Sequence, residues 1–576
     1  MDRRSAPTTV ASVLLALAMV GCGSSTTPAP LRTATAPPPP SATPAPTLTP
    51  VPSEQPTSTP QPGTFTPGSL AVTVSDDLVV RSRPEVSDTS KIYRPYLPTG
   101  TELRVIEGPV AASGYRWYRV EPVGFALNGG VTDGWVAAAS RDGVAWIGST
   151  GVELAMSTVA RETAPASAAK KAAAAINAFG LDLYKRVDKK AGNVVVSPAS
   201  IAIALAMARA GARGETAAQM DAVMRSLGTD KLASALNALD RALSSRNGTF
   251  EVMGGEAATK GEVILRQANS VFAQRDLPIE PAFLDALASR FGAGVRLADF
   301  KTEASRETAR RLINAWVKRQ TMDRIPELLL PPDLNDLTRA VLVNALYLKA
   351  PWRNPFDLAD TAPGRFTRLD GSRVSVPMMK LTRCQMGGYC DLPYAAGSGW
   401  RAVELPFLGD QLAMTIIVPT NLPAFEKKLT PKVLAGIIGS LRTEPPGSEN
   451  HEYGLVYDVQ LTMPRFGVDT RYQLGHTLEA MGMPLAFYPA TADFTGIATP
   501  PEGPLYIKKV VHQANIDVDE KGATASAATA IVMAAGGGPD TKPITFKVDR
   551  PFLFLLRDVP TGTILFLGRV TDPSKK

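Results

Sequence analysis

Residues 520–538 read EKGATASAATAIVMAAGGG. Glu-Lys-Gly opens the stretch, and the thirteen residues from Ala523 to Ala535 contain no charge and no proline. Alanine-rich runs usually form helix, so a short surface helix is the plain reading. Such a helix would have no wide apolar stripe to bury. Gly522 and Gly536 to Gly538 instead bracket the run as a loop that bends at both ends. Small, uncharged, proline-free residues can also enter the middle of a β-sheet, where every N–H must pair and alternate side chains meet packed faces. In a strand, Ala523, Ala525, Ala527 and Thr529 would share one face, and Thr524, Ser526 and Ala528 the other.

Downstream, DRPFLFLLRDVPTGTILFLGRV (Asp549 to Val570) reads as two buried strands about a turn. Together with the Glu520 stretch it resembles the serpin family of protease inhibitors. The resemblance runs from Ala168 to Pro573 through NVVVSPASIAIALAMARAGARGETAAQM (Asn193 to Met220), ANSVFAQRDLPIEPAFLDAL, ETARRLINAWVKRQTMDRI (Glu307 to Ile325) and LTRAVLVNALYLKAPWRNPF (Leu337 to Phe356). Read residue by residue, Asn193 to Met220 is a strand followed by a helix with Ser197 as cap and Pro198 in its first turn. A second helix starts at Pro281, a third carries apolar residues at helical spacing from Glu307 to Ile325, and Leu337 to Phe356 is a long buried strand ending in a turn.

The resemblance implies an α+β fold with three β-sheets, eight to nine helices and an exposed reactive loop. It also implies a mechanism: a protease attacks the loop as substrate, forms an acyl-enzyme, and is trapped when the cut loop inserts as a new central strand. Inserted residues gain about 1 kcal/mol per hydrogen bond and cost about 1–2 kcal/mol each to order. The starting sheet must therefore contribute to the drive. Glu520, Gly522, Ala523, Thr524, Ala525, Ser526, Ala527, Ala528 and Thr529 form the implied hinge, and from Gly522 to Thr529 no bulky or charged side chain falls on the inward face. At the family's loop length the cut falls between Gly536 and Gly537, with Ala535 or Met533 as alternatives for the residue before it. No Arg or Lys lies between Ala523 and Gly538, which argues against trypsin-like targets and favours elastase-like, subtilisin-like or papain-like proteases. Ser197, Pro198, Ser200, Asn344 and His512 match the family's shutter positions under the opening of the large sheet. Trp352 matches the breach where the loop first enters, and is equally well read as core aromatic mass.

A net charge of +7 over 576 residues, with no basic block, argues against nucleic-acid binding. The sequence contains no G-x-S-x-G, H-E-x-x-H or phosphate-binding G-x-x-x-x-G-K motif, and its three histidines lie far apart, so neither an enzyme nor a metal or other cofactor is expected. Cys384 and Cys390, in LTRCQMGGYCDLPY, either close a small disulfide or stand as free thiols.

At the N-terminus, Asp2-Arg3-Arg4 precedes an apolar run from Val10 to Val20 that ends at Gly21-Cys22. The run is too short to span a bilayer and suits a secretory signal. Gly21-Cys22 resembles the bacterial lipoprotein signal, with Cys22 lipidated, although Met19 departs from the preferred leucine. Residues 23–68 are Pro/Thr-rich and form an extended tether. LVVRSRP, LPTGTELRVIEG, YRWYRVEP and DGWVAAA follow at hairpin spacing over residues 69–148 and resemble a small all-β bacterial Src-homology-3-like barrel. The stretch from Gly124 to Val131 departs from the compact version of that barrel. Trp117 and Trp135 are barrel core or, alternatively, a ligand platform. Residues 149–167 connect this barrel to the serpin-like domain, 168–574. The expected whole is a monomeric, membrane-anchored extracytoplasmic inhibitor whose barrel touches cell-wall peptide or a surface partner. The alternative is a cell-wall-binding protein whose serpin-like fold no longer inhibits.

Overall fold

The computed structural model describes residues 64–575 apart from 124, 126, 128–130, 151, 188–191, 226–228, 255–256, 385–388, 447, 449–454 and 524–539. The signal, Cys22 and most of the tether lie outside the described residues. So do Thr524 to Thr529, Met533, Ala535, Gly536 and Gly537.

The first described unit is a seven-stranded antiparallel sheet. Its strands are β1 (Leu70–Thr73), β2 (Leu78–Arg81), β3 (Ile92–Leu97), β4 (Glu102–Ala112), β5 (Tyr115–Pro122), β6 (Gly134–Ala137) and β7 (Ile147–Ser149). They lie in the order β3-β2-β6-β5-β4-β1-β7. Val80, Leu97, Leu103, Val105, Tyr118, Val120, Val136 and Ile147 fill its core. Trp117 is buried, whereas Trp135 is only half-buried.

The stretch read as a connector carries a strand of its own. β8 (Glu153–Ala155) pairs antiparallel with β12 (Val295–Ala298) at the edge of the largest sheet. Helices α1 (Ala166–Arg186), α2 (Pro198–Gly211), α3 (Gly214–Val223), α4 (Thr229–Ser244) and α5 (Pro281–Phe291) follow, interrupted by β9 (Val194–Val196) and the hairpin β10 (Gly248–Gly254) and β11 (Ala257–Gln274). Pro198 and Pro281 open α2 and α5 where the sequence places them, since proline has no N–H to lose in a first turn.

Helix α6 runs over Glu303–Gln320, one turn earlier and shorter than the Glu307 to Ile325 reading. A reciprocal cap between Thr302 and Ser305 starts it, and left-handed Met322 and Asp323 keep the chain from continuing as helix.

The remaining elements are β13 (Ala340–Pro351), β14 (Ala362–Thr367), β15 (Arg373–Leu381), β16 (Tyr394–Gly397), β17 (Trp400–Pro406), β18 (Leu412–Pro419), α7 (Leu422–Lys428), α8 (Pro431–Gly439), β19 (Leu455–Pro464), β20 (Phe466–Gln473), α9 (Gly475–Met481), β21 (Val510–Val518), β22 (Gly522–Ala523), β23 (Asp540–Lys547), β24 (Phe552–Asp558) and β25 (Thr563–Val570). Beyond β8 the strands form three sheets. The largest runs β20-β21-β22-β13-β11-β12-β8, a second β14-β15-β19-β23, and the third β16-β17-β18-β24-β25-β9.

Every residue of β24 and β25 is buried, because this hairpin lies inside the third sheet with α1 packed against it. Its three buried charges are matched: Arg557 forks onto Glu404 at 2.7 and 2.8 Å, Asp558 accepts from Arg246 at 2.6 Å, and Arg569 donates to Glu426 at 3.1 Å. Unpaired, each would cost several kcal/mol, on the order of 3–5. Cys384 and Cys390 are joined by a disulfide across a Cα–Cα distance of 5.0 Å.

Candidate functional site

The site lies in the largest sheet, between β13 and β21. These parallel strands pair at Leu342–Val510, Val343–Val511 and Asn344–His512. Above Asn344 they part. At the upper end β22 has entered between them, with Ala523 opposite Ala350 and Gly522 opposite Pro351 on one side, and Ala523 opposite Val518 on the other. β22 runs antiparallel to both neighbours, because the chain reverses after β21. Ala345 to Lys349 and Gln513 to Asp517 thus face a gap in which no strand pairing is found among the described residues.

The reversal is built from short-range chemistry. Asp519 Oδ1 accepts from the N–H groups of Lys521 (2.8 Å) and Gly522 (3.3 Å), an Asx-type turn. Gly522 has no alternative at this position: a Cβ there would lie 2.2 Å from Ala350 O. Glu520 accepts from Arg465 Nε at 2.7 Å and from Thr361 Oγ1 at 2.6 Å. Burial alone would raise its carboxyl pKa, but these hydrogen bonds and the Arg465 charge outweigh it and hold the group below the usual carboxylate range.

Trp352 binds the turn directly. Its indole N–H donates to Asp519 O at 2.9 Å, its backbone N–H donates to Lys521 O at 2.9 Å, and its ring stacks on Phe407 at 4.5 Å. It is at once core mass and the fastener of the entry point. Asp519, Arg465 and Thr361 escaped the sequence reading. Asp519, three residues before a glycine, carried a local turn signal; the other two are distant in sequence and carried none.

At the lower end sits a buried polar cluster. His512 is 0% exposed. Its Nε2 accepts from Ser197 N–H at 3.1 Å, so the proton resides on Nδ1 and is donated to Asn344 Oδ1 at 2.9 Å. Asn344 Nδ2 donates to Ser200 Oγ (2.6 Å) and Asn269 Oδ1 (2.7 Å). Desolvation lowers the imidazole pKa to about 3, so His512 is neutral across the physiological range. Ser197 precedes α2 as expected, but its hydroxyl makes no cap bond; the residue contributes through its backbone N–H. Pro198 packs on α1 at Gly180, where a Cβ would come within 2.4 Å of the ring. The five residues drawn from three separate segments therefore form one assembly beneath the point where β13 and β21 close.

Helix α6 crosses this closed seam. Ile313, Trp316 and Val317 share a cluster with Phe272 of β11, Val341, Val343 and Ala345 of β13, and Val511 of β21.

The family model for "Serpin (serine protease inhibitor)" matches residues 174–573. The chain belongs to the serpin family. It is 34% identical over 399 residues to plasminogen activator inhibitor 1 of Neovison vison, covering 69% of this chain and 91% of that protein. An uncharacterised serpin-like protein of Thermococcus kodakarensis is 35% identical over 407 residues, covering 69% and 85% respectively. Human leukocyte elastase inhibitor is 32% identical over 407 residues, covering 69% and 97%. Among solved structures, the thermophilic serpin tengpin in its native state aligns with a TM-score of 0.60 and 25% identity over 73% of this chain and all of that one. In this serpin the stretches before residue 174, including the seven-stranded unit and β8, lie outside the family match.

Proposed function

We propose that this serpin inhibits extracellular proteases by inserting its severed loop between β13 and β21. The observation that carries the reading is the seat of Gly522 and Ala523 between those strands, above a stretch where β13 and β21 pair with no strand across the seam among the described residues. Continuing the register sets Thr524 opposite Lys349 and Ala528 opposite Ala345, so residues 524–528 would fill the gap, and Thr529, opposite Asn344, and later ones must part the seam at His512. The target's nucleophile attacks the carbonyl of the residue before the cut, Gly536 in the preferred register. The amine of Gly537 takes a proton and leaves, and the acyl-enzyme is carried along with the inserting strand.

Loop residues without Arg or Lys suit proteases with small or apolar specificity pockets. Incubation with an elastase-like, a subtilisin-like, a papain-like and a trypsin-like protease, read on denaturing gels, tests this. A detergent-resistant adduct is expected with at least one of the first three and none with trypsin, with mass spectrometry of the released C-terminal fragment identifying the cut. Cleavage at the loop by all partners with no adduct would overturn inhibition.

Location follows from the N-terminus. Lipidation of Cys22 and the Pro/Thr-rich tether would hold the inhibitor at the outer face of a membrane, with the seven-stranded unit, read as Src-homology-3-like, as a positioning module. A groove of about 410 Å³ on that unit, lined by Tyr115, Trp117 and Trp146 with Asp76, Asp77 and Arg81, is aromatic and carries charges of both signs, which suits a wall peptide with free amines and carboxylates. Cys22→Ser should shift the protein from the membrane to the soluble fraction; unchanged partition would remove the anchor from the reading.

A further inference from the structure

One buried carboxylate lies among the contacts that tie the seven-stranded unit to the large sheet and α6. Glu102, at the start of β4, is 3% exposed. Its Oε1 accepts from the Trp316 indole N–H at 2.8 Å, and its Oε2 is ion-paired with Arg296 of β12. Beside it, Arg266 of β11 donates to Thr99 O at 2.9 Å and Gln320 of α6 donates to Gly100 O at 3.3 Å. Gly100 fits because it is bare: a Cβ would stand 3.0 Å from Arg319 O and 3.1 Å from Arg266 Nη1. On the other side of the junction the main chain passes from β7 to β8, which is hydrogen-bonded to β12. Among the described residues the unit is thus fastened to β12 through β8, to β11, β12 and α6 by the loop at Gly100 to Glu102, and it also touches β10 through β3.

Electrostatics make Glu102 the keystone. Three guanidinium groups, Arg266, Arg296 and Arg319, gather at this junction. Burial lowers the pKa of Arg266 to about 10 and lowers that of Arg319, showing how far each is removed from water. Asp76 and Glu262 act on Arg266, while Glu102 is paired with Arg296 and acts on Arg319. Without the Glu102 charge, Arg296 and Arg319 would repel each other in a buried site.

The fastening bears on the seam because of what it holds. Ile313 and Val317 of α6 share one core cluster with Val343 and Val511, the residues that must separate before any part of the loop beyond Thr529 can enter. The last turns of the same helix supply Trp316, Arg319 and Gln320 to the junction. Trp316 serves both surfaces: its ring meets Phe272 of β11 at 5.6 Å while its N–H is held by Glu102.

We propose that the seven-stranded unit is a brace on α6, and that Glu102 is a positioning residue outside the serpin match that limits how fast the β13–β21 seam opens. This rests on the insertion reading above. The test follows sheet opening with no protease present, by incorporation of a synthetic peptide of residues 524–535 into the full-length chain, monitored by native electrophoresis and Trp fluorescence. Glu102→Gln should incorporate the peptide about tenfold faster than the unaltered chain, as expected when one buried charge-assisted contact worth about 1.4 kcal/mol or more is lost. Trp316→Phe, which keeps the ring and removes only the donor, should accelerate it in the same direction if Glu102→Gln does not fold. Equal incorporation rates in folded variants, even with a lowered Tm, would mean the junction is mere structure and would overturn the brace. No incorporation into any chain, together with no gain of heat stability on loop cleavage, would overturn the insertion reading and the brace with it.

Discussion

Two single residues decide whether the seam works, and each makes a separate prediction. Gly522 sits against Ala350 O with room for hydrogen alone. Gly522→Ala should leave the fold intact but unseat β22, because the methyl meets backbone that cannot swing aside. The expected result is at least about a tenfold loss in the fraction of encounters ending in adduct, the remainder ending in a cleaved loop, read by densitometry after protease challenge. His512 is tested by pH. Its imidazole has a pKa of about 3 when buried and about 6.5 when the chain is unfolded, so the unfolded state takes up the proton first. The stability it contributes is complete above pH 6.5 and declines as pH falls towards 3. His512→Ala should cost about 3 kcal/mol at pH 8, where Asn344 Oδ1 and the Ser197 N–H lose their partner. At pH 5 that penalty should shrink by about 2 kcal/mol, because the unaltered protein has by then lost that much through this group. Urea denaturation at the two pH values measures it; a constant penalty would show that His512 does not titrate as its burial requires.

At the scale of elements, the register of β22 assigns a direction to each loop residue. Ala523 lies in the main core with Leu342, Leu346, Leu348 and Ala350, the even-numbered residues of β13, while Val341, Val343 and Ala345 lie under α6. Ala525, opposite Leu348, would therefore point into the core on insertion. Thr524, opposite half-buried Lys349, would not. Ala525→Glu should abolish adduct formation and leave a cleavable substrate, whereas Thr524→Glu, off the core face between Lys349 and Asp517, should retain most of it. Equal effects at both positions would show that the loop does not continue the register of β22. The faces were legible beforehand because strand alternation is a local property. Helix starts at Pro198 and Pro281 and the long strand through Asn344 were legible for the same reason. The part of the site that sequence did not disclose depends on approach between distant segments. Arg465 and Thr361 reach Glu520 from 55 and 159 positions away, and Glu102 reaches Arg296 across 194. Nothing in the LPTGTELRVIEG pattern distinguishes Glu102 from any polar residue on a barrel strand, and nothing in residues 149–167 announces that Glu153–Ala155 will extend another sheet.

At the scale of the molecule, the question is what drives a strand into the seam between β13 and β21, where the described residues show no pairing from Ala345 to Lys349 across it. From sequence, the bonds gained on insertion and the entropy lost nearly cancel. The structure changes that comparison by showing the host strands. Ala345 to Lys349 and Gln513 to Asp517 border the gap, so an entering strand satisfies their N–H and C=O groups as well as its own. Each bond is worth about 1 kcal/mol, and more where the host group was buried without a partner. The side chains it brings are the alanines and threonines that fit opposite Leu346, Leu348 and Asn344 without overpacking. On the proposed reading, the intact loop is tied at both ends, to β22 and to β23, and cutting it would remove the second tie. Proteolysis within residues 533–537 should therefore raise the melting temperature of the serpin body by upwards of about 10 °C, several kcal/mol at the shift expected for a large domain. Differential scanning calorimetry of intact and nicked protein decides it. The rise should vanish in Ala525→Glu and persist in Thr524→Glu. A nicked protein that melts with the intact one would mean that the gap above Asn344 is closed by something other than this loop.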